Sequence, residues 1–398
     1  MLRTDGRWMG HSGALWRLMG ADFLARSAYQ VGKTPLLPIY AAMLGASELV
    51  IGYVVSISTL TGLVLKPLVG ALSDRTTRRL WLLLGLVLFA VIPFLYQLVE
   101  TPQDLYALRL VHGTATAIFG PVSLAYIAEM GAAGRAERLG IFGMSRSASY
   151  LIAPVIGASL LTVLPPEQVF TLIGLVSCAA LLPALGLPEV RTRPTQRPAP
   201  GQVIDSLRGA KAIWLIAALE MITYVATYAL KAFLPIYALR AMGLDLILIG
   251  LFFTLQEAVH LVVRPFAGRL ADRVGTQRVI LFGLCALTLA FAVLGFGEGA
   301  AVLFVASSCI GIGLAMILPA TLSMLTAELR SDALGAGMGV LGALRNLAKV
   351  IGPVLAGLVL MFLPYQSLFL MAACLLGATA LGFGLHGMAR RTRQAQGS

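Results

Sequence analysis

A chain of 398 residues that is 58% hydrophobic and only 12% charged has too little polar surface to cover a water-exposed globule, in which about a quarter of residues are charged. The formal charge of +12 does not point to nucleic acid, because the basic residues sit in short connectors between apolar runs, as in the cytoplasmic loops of a membrane protein. Cys178, Cys285, Cys309 and Cys374 all fall inside apolar segments without metal-ligand spacing, so no metal and no cofactor is expected.

Hydropathy predicts twelve spans, at 14–43, 47–71, 80–99, 104–129, 138–162, 168–187, 212–240, 246–270, 277–297, 300–328, 334–362 and 366–388. Runs this long, without period-2 alternation, are helices, since lipid offers the backbone no hydrogen-bond partner. Arg3, Asp5, Arg7, His11 and Arg17 leave no cleavable signal, so the first helix is expected to stay. It carries Asp22, Arg26, Tyr29 and Lys33 at steps of 4, 3 and 4, which places them on one face. Arg109 follows in the fourth span and Arg146 in the fifth. Arg109 and Lys33 lie towards span ends, where long basic side chains reach the membrane surface. A Pro- and Arg-rich stretch, 188–211, reads as a cytoplasmic linker between a bundle at 1–187 and another at 212–398.

The seventh span repeats the first. Glu220, Tyr224, Thr227 and Lys231 keep the steps of 4, 3 and 4, at an offset of 198 from Asp22 to Glu220. KPLVGALSDR at 66–75 returns as RPFAGRLADR at 264–273, and LPIYA at 37–41 returns at 234–238. Gly113 and Pro121 match Gly311 and Pro319, Ala128-Glu129 matches Ala327-Glu328, and Arg146 and Pro154 match Arg345 and Pro353. Two six-helix units in the same orientation are a transporter plan with the substrate near the midplane. Glu257 in the eighth span, beside Gln256 and His260, has no Lys or Arg within one turn, and Lys349 follows in the eleventh.

The basic connectors include Arg75, Arg78 and Arg79; Arg135 and Arg138; Arg191, Arg193 and Arg197; and Arg269, Arg273 and Arg278. The opposite connectors carry Glu48, Glu100, Asp104, Glu167, Asp245 and Glu298, with Arg240 their one clear basic residue. Both termini are therefore expected in the cytoplasm, across a membrane of the bacterial inner type. Setting aside Arg17, Lys66, Arg264 and the charges at span termini, ten charges fall within spans, seven basic and three acidic. Each costs about 2.5–3.5 kcal/mol at the bilayer centre, so they must pair or line a wet cavity. Arg26, Tyr29, Lys33, Arg109, Arg146, Tyr224, Lys231, Arg345 and Lys349 are the expected cavity residues, and their positive excess favours an anionic or partly anionic substrate. The plainer alternative is a set of structural ion pairs, Asp22 with Arg26 first among them. Proton coupling needs a carboxylate with changing surroundings, for which Glu220 and Glu257 rank above Asp22.

Gly70-Ala71-Leu72-Ser73-Asp74-Arg75-Thr76-Thr77-Arg78-Arg79 resembles the loop signature of the major facilitator superfamily, and Gly268-Arg269-Leu270-Ala271-Asp272-Arg273-Val274-Gly275-Thr276-Gln277-Arg278 resembles its second copy. Arg109 to Gly113 is similar to the fourth-helix motif, with His112 in place of the usual Gln, while Thr77 departs from the usual Gly. The run 34–40, T-P-L-L-P-I-Y, resembles drug:proton antiporters, as loosely do Ala153-Pro154-Val155-Ile156-Gly157 and Gly352-Pro353-Val354-Leu355-Ala356-Gly357. The resemblance implies an all-α membrane protein of twelve helices in two pseudo-symmetric six-helix bundles, with the first, fourth, seventh and tenth helices lining the cavity. It also implies a cytoplasmic gate of Gly70, Asp74, Arg75, Arg78 and Glu129, and of Gly268, Asp272, Arg273, Arg278 and Glu328. The expected function is proton-coupled export of a small amphiphilic or anionic molecule by a monomer among membrane lipids. A proton-coupled importer of an organic acid and a non-transporting membrane sensor stay open as alternatives. An enzyme is not expected, since His11, His112, His260 and His386 are scattered, and no phosphate loop for ATP is present.

Overall fold

The computed structural model describes residues 7–131, 134–190, 211–329 and 331–396. Among them the chain forms twelve helical spans and no strand. The first, α1, covers 7–43 in three pieces, Arg7–Val31, a π-helical turn Gly32–Leu36 and Leu37–Met43. Thr34 leaves helical geometry there (φ −144°, ψ 120°), as a residue ahead of a proline tends to, and Pro35 follows it. Then come α2 (Glu48–Arg75), α3 (Arg78–Leu98), α4 (Pro102–Glu129), α5 (Arg135–Leu161) and α6 (Pro166–Leu185). The second series is α7 (Lys211–Arg240), α8 (Leu246–Val274), α9 (Thr276–Phe296), α10 (Ala300–Glu328), α11 (Ser331–Leu360) and α12 (Tyr365–Gln396). Eleven of these are long and apolar enough to cross a bilayer. The twelfth, α1, has the length but carries Arg17, Asp22 and Arg26 within ten residues.

The helices fall into two compact units, Met1–Arg197 and Pro198–Ser398. The linker expected at 188–211 lies from 191 to 210 outside the described residues. In the first unit α1 packs on α5 and α6, and α4 packs on α2 and α3. Leu18, Ala25, Leu82, Leu86, Phe119 and Tyr126 are buried in its core. The second unit repeats the plan, with α7 on α11, α10 on α8 and α9, and α9 on α12. Leu230, Phe252, Leu284, Phe291 and Ile310 fill it.

Matched glycines mark close helix approaches. A Cβ on Gly113 would lie 2.6 Å from Thr61 Cβ and 2.8 Å from the Ser58 carbonyl oxygen. One on Gly311 would lie 2.6 Å from the Gln256 carbonyl oxygen and 2.8 Å from Val259 Cβ. Only a hydrogen fits, so α2 and α4, and α8 and α10, meet at backbone distance.

The loops ahead of α3 and α9 differ despite their similar sequences. Gly275 caps α9 at φ 92°, a conformation natural to glycine. Thr77 caps α3 in extended geometry (φ −97°, ψ 134°) and needs no glycine. Thr76 Oγ1 accepts a 2.7 Å hydrogen bond from the Trp81 indole, which fixes this turn by other means. Helix α4 opens with a capping box: Asp104 N donates to Thr101 Oγ1 at 3.2 Å, and Thr101 N donates to Asp104 Oδ2 at 2.9 Å.

Candidate functional site

The charged side chains expected inside the membrane gather into separate clusters in each unit. In the first, Asp22 of α1 is fully buried and accepts from Arg146 of α5, whose Nη2 lies 2.8 Å from Oδ1. Arg146 Nη2 also donates to Ser123 Oγ of α4 at 2.8 Å, and its guanidinium lies 4.4 Å from the Phe142 ring centre. Arg26, one turn along α1, lies 3.4 Å from the same carboxylate. Two guanidinium groups thus share one acid. The expected i,i+4 pair of Asp22 and Arg26 is present but is the longer of the two contacts.

In the second unit Glu220 of α7, 1% exposed, takes both Arg345 of α11 and Thr321 of α10. Arg345 Nη2 lies 2.6 Å from Oε1, its Nε bonds Oε2, and Thr321 Oγ1 donates at 2.7 Å. Acid, arginine and hydroxyl therefore recur on the first, fifth and fourth helices of each unit. Asp22 and Ser123 sit 198 residues before Glu220 and Thr321, and Arg146 sits 199 before Arg345. Glu220 is held by one guanidinium and a hydroxyl, whereas Asp22 is held by two guanidinium groups, and Ser123 bonds Arg146 rather than the acid.

Arg109 differs from its expected placement. It is 1% exposed rather than reaching for the membrane surface. Its Nη2 donates to Ser58 Oγ at 2.6 Å and lies 3.4 Å from Tyr29 OH, while its Nε has no partner among the described residues. The reason is position on the helix: Arg109 lies on the face of α4 that packs on α2. The Arg109 and Lys33 cations lie 5.7 and 5.9 Å from the Tyr29 ring centre. His112 packs edge-on to that ring at 5.1 Å and shares a 3.1 Å hydrogen bond with Tyr96 OH.

Glu257 of α8 is half-buried and has company that its own helix does not reveal. Lys231 Nζ reaches it from α7 at 3.7 Å, and His260 Nδ1, one turn along, lies 3.4 Å from Oε2. Lys231 lies 5.5 Å from the Tyr228 ring centre. Lys349 of α11 lies 5.0 Å from the Tyr224 centre and 5.4 Å from that of Tyr228. Here the repeat is exchanged rather than copied. Arg26 on the first helix corresponds to Tyr224, and Tyr150 on the fifth corresponds to Lys349.

The two loop signatures also part. Arg78 is buried and bonds Asp74, Glu129 (2.9 Å) and Ser73 (2.5 Å). Arg75 beside it is exposed and Gly70 half-buried. In the second copy Asp272, Arg273 and Arg278 are exposed, and no bond among the described residues joins Asp272 to Arg278. Gly268 is half-buried, and the side chain of Glu328 lies outside the described residues. The cause is register. Arg78 follows Asp74 by four residues, whereas Arg278 follows Asp272 by six and Thr276 stands where Arg78 would.

Sequence reasoning missed Ser58, Ser123, Thr321 and Tyr228. The offset of 198 was the signal for Ser123 and Thr321. It also missed an anchor at the end of α6, where three side chains catch carbonyls between residues 185 and 188. Arg79 Nη2 donates to Leu185 O at 2.8 Å, Arg17 Nη1 to Gly186 O at 2.5 Å and Tyr126 OH to Pro188 O at 2.7 Å.

The family model described as Major Facilitator Superfamily matches residues 23–255 and 216–396, which together span nearly the whole chain. The chain belongs to the Major Facilitator Superfamily. Multidrug resistance protein 1 of Bacillus subtilis is 28% identical over 206 residues, a match spanning about half (52%) of each chain. The class G tetracycline resistance protein of Vibrio anguillarum is 29% identical over 337 residues, covering 80% of this chain and 83% of its own. Multidrug resistance protein MdtG of Serratia proteamaculans is 25% identical over 364 residues, or 88% of both. In fold, the transporter resembles the crystal structure of the nucleoside transporter NupG, with a TM-score of 0.81 at 14% identity over 94% of this chain and 98% of that one. The protein is thus an all-α, multi-pass membrane transporter, and its buried charges belong to a lipid-embedded machine.

Proposed function

We propose that this transporter exports a small amphiphilic molecule by alternating access, driven by protons that Glu257 takes up and releases. The observation that carries the reading is the half-buried Glu257, with Lys231 and His260 at 3.7 and 3.4 Å. A carboxylate 3.7 Å from a lysine changes its surroundings at smaller cost than Asp22 and Glu220, which are tied by shorter bonds to arginines. Protonating Glu257 removes the attraction that holds Lys231, so the proton has a direct mechanical effect on α7 and α8. The names of the multidrug and tetracycline resistance relatives support the outward direction.

Several further parts belong to this proposal. The transporter works as a monomer with both termini in the cytoplasm, its two six-helix bundles joined by the 188–211 linker. Arg78, Asp74 and Glu129 latch the cytoplasmic side. The test is transport in everted vesicles energised with a proton gradient. The wild type should accumulate a fluorescent amphiphile, and a protonophore should abolish this. Glu257→Gln should abolish proton-driven accumulation while leaving downhill exchange intact. Accumulation by E257Q at the wild-type rate would refute the assignment.

A further inference from the structure

The cluster around Glu257 carries more than a proton site. Resting on the exporter reading above, its chemistry defines the kind of molecule the transporter takes. Tyr224 and Tyr228 stand one turn apart on α7, ring centres 6.0 Å apart and planes tilted by 44°. Both are half-buried, as are Lys231, Glu257 and Lys349. Lys231 holds its ammonium between the Glu257 carboxylate, at 3.7 Å, and the Tyr228 ring, at 5.5 Å. Lys349 lies on the same two rings, and among the described residues no carboxylate comes within ion-pair distance of it.

We propose that Glu257, Tyr224, Tyr228 and Lys349 form a bipolar subsite for a zwitterion built on a planar ring, whose ammonium group takes the place of Lys231 on Glu257 and whose acid group meets Lys349. A position between a carboxylate and an aromatic face is where an organic ammonium is held. The Lys231 ammonium occupies it here as a tethered stand-in for the substrate's. The tyrosine rings offer the planar body a stacking surface. Lys349 is a cation inside a membrane span, and ring faces offset its burial only in part, so an incoming anion completes it.

Charge excludes the simpler ligand classes. Two lysines against one glutamate leave the cluster at +1, which disfavours a plain cation. A plain anion gains when Glu257 is protonated, so it binds together with the proton, which is the wrong sign for exchange. A zwitterion competes with the proton for Glu257 through its ammonium group, and that mutual exclusion is what an antiporter requires. Tyr224 also feels Arg345 and Glu220, which are paired with each other. Glu257 faces Lys231, Tyr224 and Tyr228 from α7 and His260 from α8, and Lys349 joins through the tyrosines from α11. Packed along α8, α10 adds only Cys309 before its terminal Glu328, and α9 only Arg278 and Cys285.

The test uses the full chain in detergent micelles, with calorimetric titration of three probes sharing one ring: 4-(aminomethyl)benzoate, benzylamine and 4-methylbenzoate. The zwitterion should bind at least ~10-fold more tightly than either single-charge probe, and its affinity should fall on acidification. Glu257→Gln should lower affinity for the two amines ~10-fold, remove the pH dependence of amine binding, and spare 4-methylbenzoate. Lys349→Gln should lower affinity for the two acids and spare benzylamine, while Lys349→Arg, which keeps the charge, should restore acid binding and controls for folding. Equal binding of all three probes, no binding of the zwitterion, or the same loss in both Gln variants for every probe would overturn the proposal. Probe binding as expected without proton-driven transport refutes the exporter reading and leaves the subsite standing. Proton-driven transport of a dye, with probe binding indifferent to both variants, does the reverse.

Discussion

Substituting Asn for Asp22 removes one charge and almost no volume, and it takes the carboxylate from two guanidinium groups, Tyr150 staying beside Arg26. Arg146 loses the carboxylate at 2.8 Å and Arg26 the one at 3.4 Å, and each side chain is only 18% exposed. An uncompensated buried charge costs about 3–5 kcal/mol. Ser123 still accepts from Arg146, so the lower end of that range is expected. The matched change, Glu220→Gln, strands only Arg345, whose side chain is 29% exposed and within reach of water. Its cost should be about 1–3 kcal/mol, that of an unmet charge-assisted bond. Asp22→Asn should therefore destabilise more than Glu220→Gln by about 1 kcal/mol, the difference between about 3 and the middle of the lower range, measured by denaturant titration in mixed micelles. Adding Arg26→Gln to D22N should recover part of the loss by relieving repulsion between the two arginines. Equal costs for the two single changes, or a further loss on adding R26Q, would refute the claim that the shared carboxylate balances two cations.

Arg78→Gln should impair transport and shift the inward–outward balance, read by crosslinking at the cytoplasmic side, because it strips Asp74 and Glu129 of their guanidinium. Arg278→Gln, at an exposed position, should change stability by no more than about 0.5 kcal/mol and leave that balance alone. Gly113→Ala and Gly311→Ala should each destabilise by about 1–3 kcal/mol through overpacking. Gly140→Ala, where a Cβ meets nothing within 4 Å, should not, and thermal unfolding in detergent would check all three.

Helix number, the repeat and the matched positions of an acid, a lysine and an arginine in each unit were legible because insertion into lipid punishes every unmatched charge. The sequence therefore advertises its polar positions against an apolar background. A helical face predicted from spacing is a one-helix statement, and there the reading stopped. That Lys231 reaches Glu257 depends on how α7 and α8 pack, and no spacing within α8 reveals it. Arg109 looked like a residue near a span end. The face it occupies on α4, packed on α2, buried it against Ser58 and Tyr29. The loop signatures resembled each other in letters, yet two extra residues between Asp272 and Arg278 prevent the bond that Asp74 makes with Arg78. Exact offsets, followed residue by residue, would have exposed both this break and the Ser123–Thr321 match.

The buried acid–arginine pairs also set an order of assembly. Asp22 and Arg146 are 124 residues apart in the chain, and Glu220 and Arg345 are 125 apart. At a synthesis rate of about 5–20 residues per second, roughly 6–25 s separate the emergence of each acid from that of its arginine. Through that interval α1 carries Asp22 and Arg26 without the partner that makes it tolerable to lipid. Helix α1 should therefore be among the last in its unit to settle in the bilayer, held beside protein or water until α5 arrives.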